Sequence, residues 1–173
     1  MLRSAARRAI EALEARVLLA GDEPFINEFL ANNDTTPLLD DYNVRSDWIE
    51  LYNPSATAAN LTGWHLTDRK DSPGRWTFPA GTSIAPQGYL LVFATGRTAS
   101  VGPGGRLHAN FSLDADGEYL ALMRPDNSVA SSFDPEFPDQ LDDVSYGRTP
   151  ASANMTVVGP GASSRTLIPT ASR

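Results

Sequence analysis

Asp47-Trp48-Ile49-Glu50-Leu51-Tyr52-Asn53-Pro54 alternates aliphatic residues with aromatic or charged ones at a period of two. That period is the pattern of a strand with one buried face, and it turns Ile49 and Leu51 one way and Trp48, Glu50 and Tyr52 the other. Asn53-Pro54 ends the run, because proline has no N–H to give a ladder and asparagine tolerates turn geometry. A second run of the same kind, Leu61-Thr62-Gly63-Trp64-His65-Leu66-Thr67-Asp68, follows shortly after.

Further strand signals lie on both sides of this pair. Phe25 to Ala31 reads as a strand that runs into the turn cluster Asn32-Asn33-Asp34, and residues 32–46 form a polar loop. Trp76-Thr77-Phe78-Pro79 is a short strand closed by proline, and Ile84 begins a brief element before the turn Pro86-Gln87-Gly88. Tyr89-Leu90-Leu91-Val92-Phe93 is apolar on both faces and belongs inside a sheet rather than at its edge. Residues 94–106 are a glycine- and proline-rich surface loop without a burial signal. Strands are expected again at Leu107–Phe111 and Glu118–Arg124, the latter paired as a hairpin with Ser128–Phe133, and Val144–Arg148 closes the series. About nine short strands separated by turns, with no helix among them, predict an all-β antiparallel sandwich. Ile49, Leu51, Trp64, Leu66, Phe78, Leu91, Phe93, Leu120 and Leu122 supply its expected inter-sheet core. Gly63 suits a bulge or a sharp bend before Trp64.

The ends differ in character. In residues 1–22, Leu2, Ala6, Ile10, Leu13 and Val17 recur at helical steps among Arg3, Arg7, Arg8, Glu11 and Glu14, which predicts an amphipathic helix stopped at Gly21. Its apolar run Val17-Leu18-Leu19-Ala20 is too short for the h-region of an ordinary secretory signal. Residues 149–173, rich in Pro, Ser, Ala, Gly and Thr, read as a linker or as the opening of a further, truncated module.

Composition narrows the function classes. A chain of 173 residues with 41% hydrophobic content can bury one sizeable core, and no apolar run reaches the length of a membrane span. The formal charge of −7 is concentrated between Glu23 and Arg148, a surface that repels phosphate backbones and argues against a nucleic-acid partner. Without cysteine there is neither a disulfide nor a thiolate metal site.

Candidate sites are few. Asp34, Asp40, Asp41 and Asp47 could bring hard oxygen ligands together for calcium, although loop carboxylates more often just solvate a surface. Asp114-Ala115-Asp116-Gly117-Glu118 fails as an EF-hand start, because glycine falls fourth rather than sixth and Pro125 stands where the bidentate glutamate belongs. His65 and His108 lie in expected strands, as rim or surface residues without a nucleophile motif nearby. No catalytic residue, cofactor site or metal site is assigned, and the chain is not expected to be an enzyme. Trp48 and Tyr52 share the face opposite Ile49 and Leu51, and if exposed they form an aromatic patch for a sugar ring or a protein partner. Four Asn-x-Ser/Thr triplets begin at Asn33, Asn60, Asn110 and Asn154, and are read as chance matches.

Two resemblances add to this reading. Leu13-Glu14-Ala15-Arg16-Val17-Leu18-Leu19 resembles the Leu-Glu-Pro-Arg-x-Leu-Leu segment near the N-terminus of large surface or secreted proteins of planctomycete-type bacteria, with Ala15 in place of the usual proline; it implies a sorting or export role. Residues 25–148 resemble a lamin tail domain of the bacterial kind. The likeness is carried in order by Ile26-Asn27-Glu28, Asp47–Pro54, Leu61-Thr62-Gly63-Trp64, Phe78-Pro79-Ala80-Gly81 with Gly88–Phe93, Gly117–Leu122 and the closing Asp143–Arg148. It implies an immunoglobulin-like sandwich over 23–148 in which these residues serve as core and turn. The expected function is a non-catalytic adhesion or scaffold module of an extracellular or cell-surface protein, originally joined to further domains, with other protein domains or surface glycans as partners. The alternative is a calcium-dependent or carbohydrate-binding module that uses the 32–47 loop and the Trp48/Tyr52 face.

Overall fold

The computed structural model describes residues 22–147. The helix expected at the N-terminus and the 149–173 segment lie outside the described residues. Within them the chain is all β, in eleven short strands: β1 (Phe25–Leu30), β2 (Asp47–Tyr52), β3 (Ala59–Asn60), β4 (His65–Thr67), β5 (Trp76–Thr77), β6 (Ser83–Ile84), β7 (Tyr89–Ala94), β8 (Leu107–Ala109), β9 (Leu120–Met123), β10 (Val129–Phe133) and β11 (Tyr146–Gly147). A five-stranded sheet in the order β11-β1-β2-β7-β8 faces a four-stranded sheet in the order β10-β9-β4-β5, and β3 and β6 form a small ribbon beside them. This is the expected immunoglobulin-like sandwich.

The opening stretch takes the central place in the larger sheet. β2 pairs antiparallel with β1 on one side and with β7 on the other, so Ile49 stands opposite Phe29 and Val92, and Leu51 opposite Ile26 and Leu90. Residues directly opposite each other share a face. The core side of the sheet is therefore Ile26, Phe29, Ile49, Leu51, Val92 and Ala94, packed against Leu66, Leu120 and Leu122 of the facing sheet and against Phe78 and Phe111. Each such side chain contributes about 1.5–3 kcal/mol when fully buried. A polar tie joins the sheets where the Ile26 amide donates to Ser131 Oγ at 3.2 Å.

Three expectations need correction. Leu91 and Phe93 do not enter the inter-sheet core: the register with β2 gives the core side of β7 to Leu90, Val92 and Ala94 and turns Leu91 and Phe93 outward. The sandwich is not wholly antiparallel, because β7 and β8 pair in parallel, from Val92 opposite Leu107 to Ala94 opposite Ala109. The loop between them is not free of the fold either, since Val101 forms an antiparallel bridge with Leu107.

Turn chemistry fixes the ends of β2 and β4. Asn53 is 0% exposed. Its Nδ2 donates to the carbonyls of Thr57, Ile84 and Ala85 at 2.8, 3.2 and 3.0 Å, and its Oδ1 accepts from the Ser55 amide at 3.1 Å. One side chain thus clips the end of β2 to β6. Gly63 adopts φ +79 in a turn closed by the Trp64 amide on the Leu61 carbonyl, a backbone conformation glycine reaches without steric cost.

Candidate functional site

The outer face of the five-stranded sheet is a lattice of three rows read across β1, β2 and β7. Phe25, Tyr52 and Tyr89 make the first row, Glu28, Glu50 and Leu91 the second, and Leu30, Trp48 and Phe93 the third. A bulge in β1 adds Asn27 to the second row, where its Nδ2 donates to Glu50 Oε1 at 2.8 Å. The third row is roofed: Leu30 and Phe93 are buried, and Trp48 is half-buried. The first row is open. Tyr52 is half-buried, with its ring 5.6 Å from Phe25 and 4.7 Å from Tyr89, and Tyr89 is 60% exposed.

The roof over the third row is made of loops 32–46 and 94–106, joined through one carboxylate. Asp41 Oδ2 accepts from the backbone amides of Gly104 and Arg106 at 3.0 Å each. The Arg106 guanidinium lies 3.5 Å from Asp41 Oδ1, and its ring-side face sits 5.6 Å from the centre of Phe93. Beneath them His108 is 0% exposed, stacked on Phe93 at 5.7 Å, edge-on to Tyr42 at 5.5 Å, with Nε2 3.7 Å from Asp41 Oδ2. His108 is therefore a buried prop under a loop roof and not the rim or surface residue that a short strand suggested. Sequence pattern could not find it, because period-two alternation marks a face as outer and says nothing of what later folds over it. A shallow cleft of about 500 Å³, lined by Pro37, Leu38, Leu39, Asp40, Asn43 and Arg106 among others, opens beside this roof.

The aspartates of loop 32–47 do not converge on one point; Asp40, Asp41 and Asp47 each serve a different piece of backbone or side chain. Asp40 accepts from the Tyr42 and Val44 amides and the Ser46 hydroxyl at 2.8–3.0 Å. Burial pushes its carboxyl up, and those three donors outweigh burial and leave it below its ordinary value. Asp41 ties the roof. Asp47 accepts from the Leu113 amide at 3.1 Å, and burial drives it up to about 6 against that bond. Asp34 instead lends its amide to Asp143, which also accepts from Thr35 and Thr36; the Thr35 hydroxyl and then these amides hold Asp143 down at about 2. Among the described residues, no group of three or more histidine or acidic side chains is arranged to hold a metal ion.

Just past β4 and just before β5, Asp68 and Arg75 form a mostly buried ion pair at 2.6 Å. Burial pushes Asp68 up, with Arg75 opposing. Glu118 accepts from the Asp114 amide at 2.9 Å, and burial, aided by the charge of Asp68, raises it to about 7. This amide bond belongs to the tight turn 114–117, closed by the Gly117 amide on Asp114 O. His65 Nδ1 lies 2.9 Å from Thr77 Oγ1 across β4 and β5. Asn33 is buried, with its amide on the Leu38 and Ser46 carbonyls, while Asn60 and Asn110 are exposed; Asn154 lies outside the described residues.

A two-sheet sandwich whose buried carboxylates are bound to its own turns, and whose open feature is a ring-bearing sheet face, is of the structural, immunoglobulin-like class. The comparison with known families agrees: residues 20–136 match the profile of the family described as Lamin Tail Domain. The chain belongs to the lamin tail domain family. A search among curated proteins finds no match to it. No helix among the described residues is long and apolar enough to cross a membrane.

Proposed function

We propose that the chain is a non-catalytic adhesion or scaffold module of an exported, cell-surface bacterial protein. The observation that carries this reading is the open first row of the outer sheet face, where Phe25, Tyr52 and Tyr89 stand side by side on three hydrogen-bonded strands. Rings fixed on a rigid sheet lose little side-chain freedom on binding, which is what a recognition surface needs. Support for export comes from the Leu13–Leu19 segment and its likeness to the surface-protein segment of planctomycete-type bacteria, Ala15 notwithstanding. The calcium-dependent alternative draws less support, because Asp40, Asp41 and Asp47 already spend oxygens on internal donors.

Labelling intact source cells with a membrane-impermeant amine or carboxyl reagent, followed by immunocapture of the chain, tests the location. Label on the chain in unbroken cells is the expected result. Label only after lysis would overturn the surface assignment.

A further inference from the structure

The open half of the outer sheet face has a second property besides its rings. Glu28 and Glu50 stand directly opposite each other on β1 and β2, one row from Tyr52 and Tyr89. Like charges at opposed positions on neighbouring strands destabilise a sheet. Each carboxylate has one neutral donor, Ser145 Oγ for Glu28 and Asn27 Nδ2 for Glu50. Among the described residues neither takes part in an ion pair: the arginines and the lysine that do are engaged with Asp134, Asp68, Asp41 and Glu23. The rows of a strand face repeat at about 7 Å, so one long cationic side chain can reach a carboxylate while its stem crosses a ring.

We propose that this face docks a basic segment of a partner protein, with an arginine or lysine seated over the Glu28/Glu50 pair and its aliphatic stem or guanidinium against Tyr52 and Tyr89; the proposal deepens the adhesion-module reading and rests on it. Charge complementarity selects the occupant. The segment from Glu23 to Arg148 holds 18 acidic residues against 8 basic ones, so its field draws in cations and repels polyphosphates. The same field disfavours a second copy: face-to-face pairing would bring two Glu28/Glu50 pairs together without a cation between them. Tyrosine faces attract guanidinium and ammonium groups through the ring quadrupole, and Arg97 over Tyr42 at 4.0 Å shows the same pairing within this fold.

The test is calorimetric titration of the full chain with a synthetic peptide alternating arginine and serine, at physiological ionic strength. Binding is expected, weakened about ten-fold by the double variant Glu28→Gln/Glu50→Gln and several-fold by Tyr89→Ser at a 60% exposed position. The double variant Asp116→Asn/Asp139→Asn changes net charge equally at exposed loop positions and should leave affinity within about two-fold, since distant charges are screened. Equal weakening by both double variants would overturn the proposal, as would no binding of the peptide. Binding of a neutral oligosaccharide at Tyr89 with no binding of the peptide would overturn it in favour of a glycan. Failure here leaves the cell-labelling result standing. Absence of surface label with intact peptide binding would remove the location and leave the docking face.

Discussion

Asn53 shows how much one polar residue can hold. It donates to three carbonyls, of which Ile84 O and Ala85 O lie across the gap to β6. Removing the amide leaves the buried Ile84 carbonyl and two part-buried ones without this donor, and a buried group left unpaired costs more than the bond it loses. Asn53→Ala should therefore lower stability by about 2–3 kcal/mol, read as a shift of the urea midpoint without a change of slope. Asn53→Asp should be no better, because a carboxylate cannot donate to the three carbonyls. A different residue-scale prediction concerns pH. Glu118 and Asp47 sit at about 7 and about 6 in the folded chain, above ordinary values of 4.5 and 3.8. The folded state then binds more protons than the unfolded one in this range, so the slope of stability with pH is negative. Their contribution is present below about pH 4 and is lost as pH rises through 6 and then 7. Glu118→Gln should flatten the decline between pH 5 and 8 and raise stability at pH 8 by about 1 kcal/mol, after allowance for the partial exposure of the site. Unfolding curves of the two proteins at both pH values check it.

At the scale of elements, the roof over Phe93 depends on how closely loop 94–106 approaches Asp41. A Cβ added at Gly102 would lie 2.4 Å from Asp41 Oδ2 and 2.6 Å from His108 Nε2. Neither atom can retreat, because Asp41 is held by two amides and His108 is enclosed by two rings. Gly102→Ala should cost about 1–3 kcal/mol, the usual range for overpacking, and should speed hydrogen exchange at the Gly104 and Arg106 amides. Most of the strands were legible in the sequence, but β3 was not, and the run from Leu61 to Asp68 is strand only at His65–Thr67. β2 follows from period-two alternation, β7 from a short run apolar on both faces, and the β9–β10 hairpin from the turn residues between its strands. The parallel partner of β7, the outward turn of Phe93 and the burial of His108 were not legible, for a shared reason. All three depend on which segment lies beside or above β7, a long-range pairing that leaves no local period. The candidate face was half legible: the alternation placed Trp48 and Tyr52 on one side, but only the structure separates a roofed Trp48 from an open Tyr52–Tyr89 row.

At the scale of the whole molecule, charge is the dominant global property. A chain at −7, with the imbalance gathered in the folded segment, repels itself when compact. Salt shortens the reach of that repulsion, to roughly 8 Å at physiological ionic strength. The thermal midpoint should therefore rise by a few degrees on going from very low salt to physiological salt, measured by calorimetry in a buffer that does not bind the protein. A falling midpoint would mean that the four arginine and lysine ion pairs among the described residues outweigh the net repulsion.

The parallel pairing of β7 with β8 gives residues 95–106 a second identity. Antiparallel neighbours can be joined by two residues, but parallel ones need a return path of a dozen or more, since the chain must travel back the length of the strand before it sets out again. Glycine and proline make this stretch look expendable, yet it is about as short as such a return can be. It behaves as a ruler: additional residues could be spliced into its exposed turn, whereas excising a few would pull β8 off the sheet and uncover Phe93.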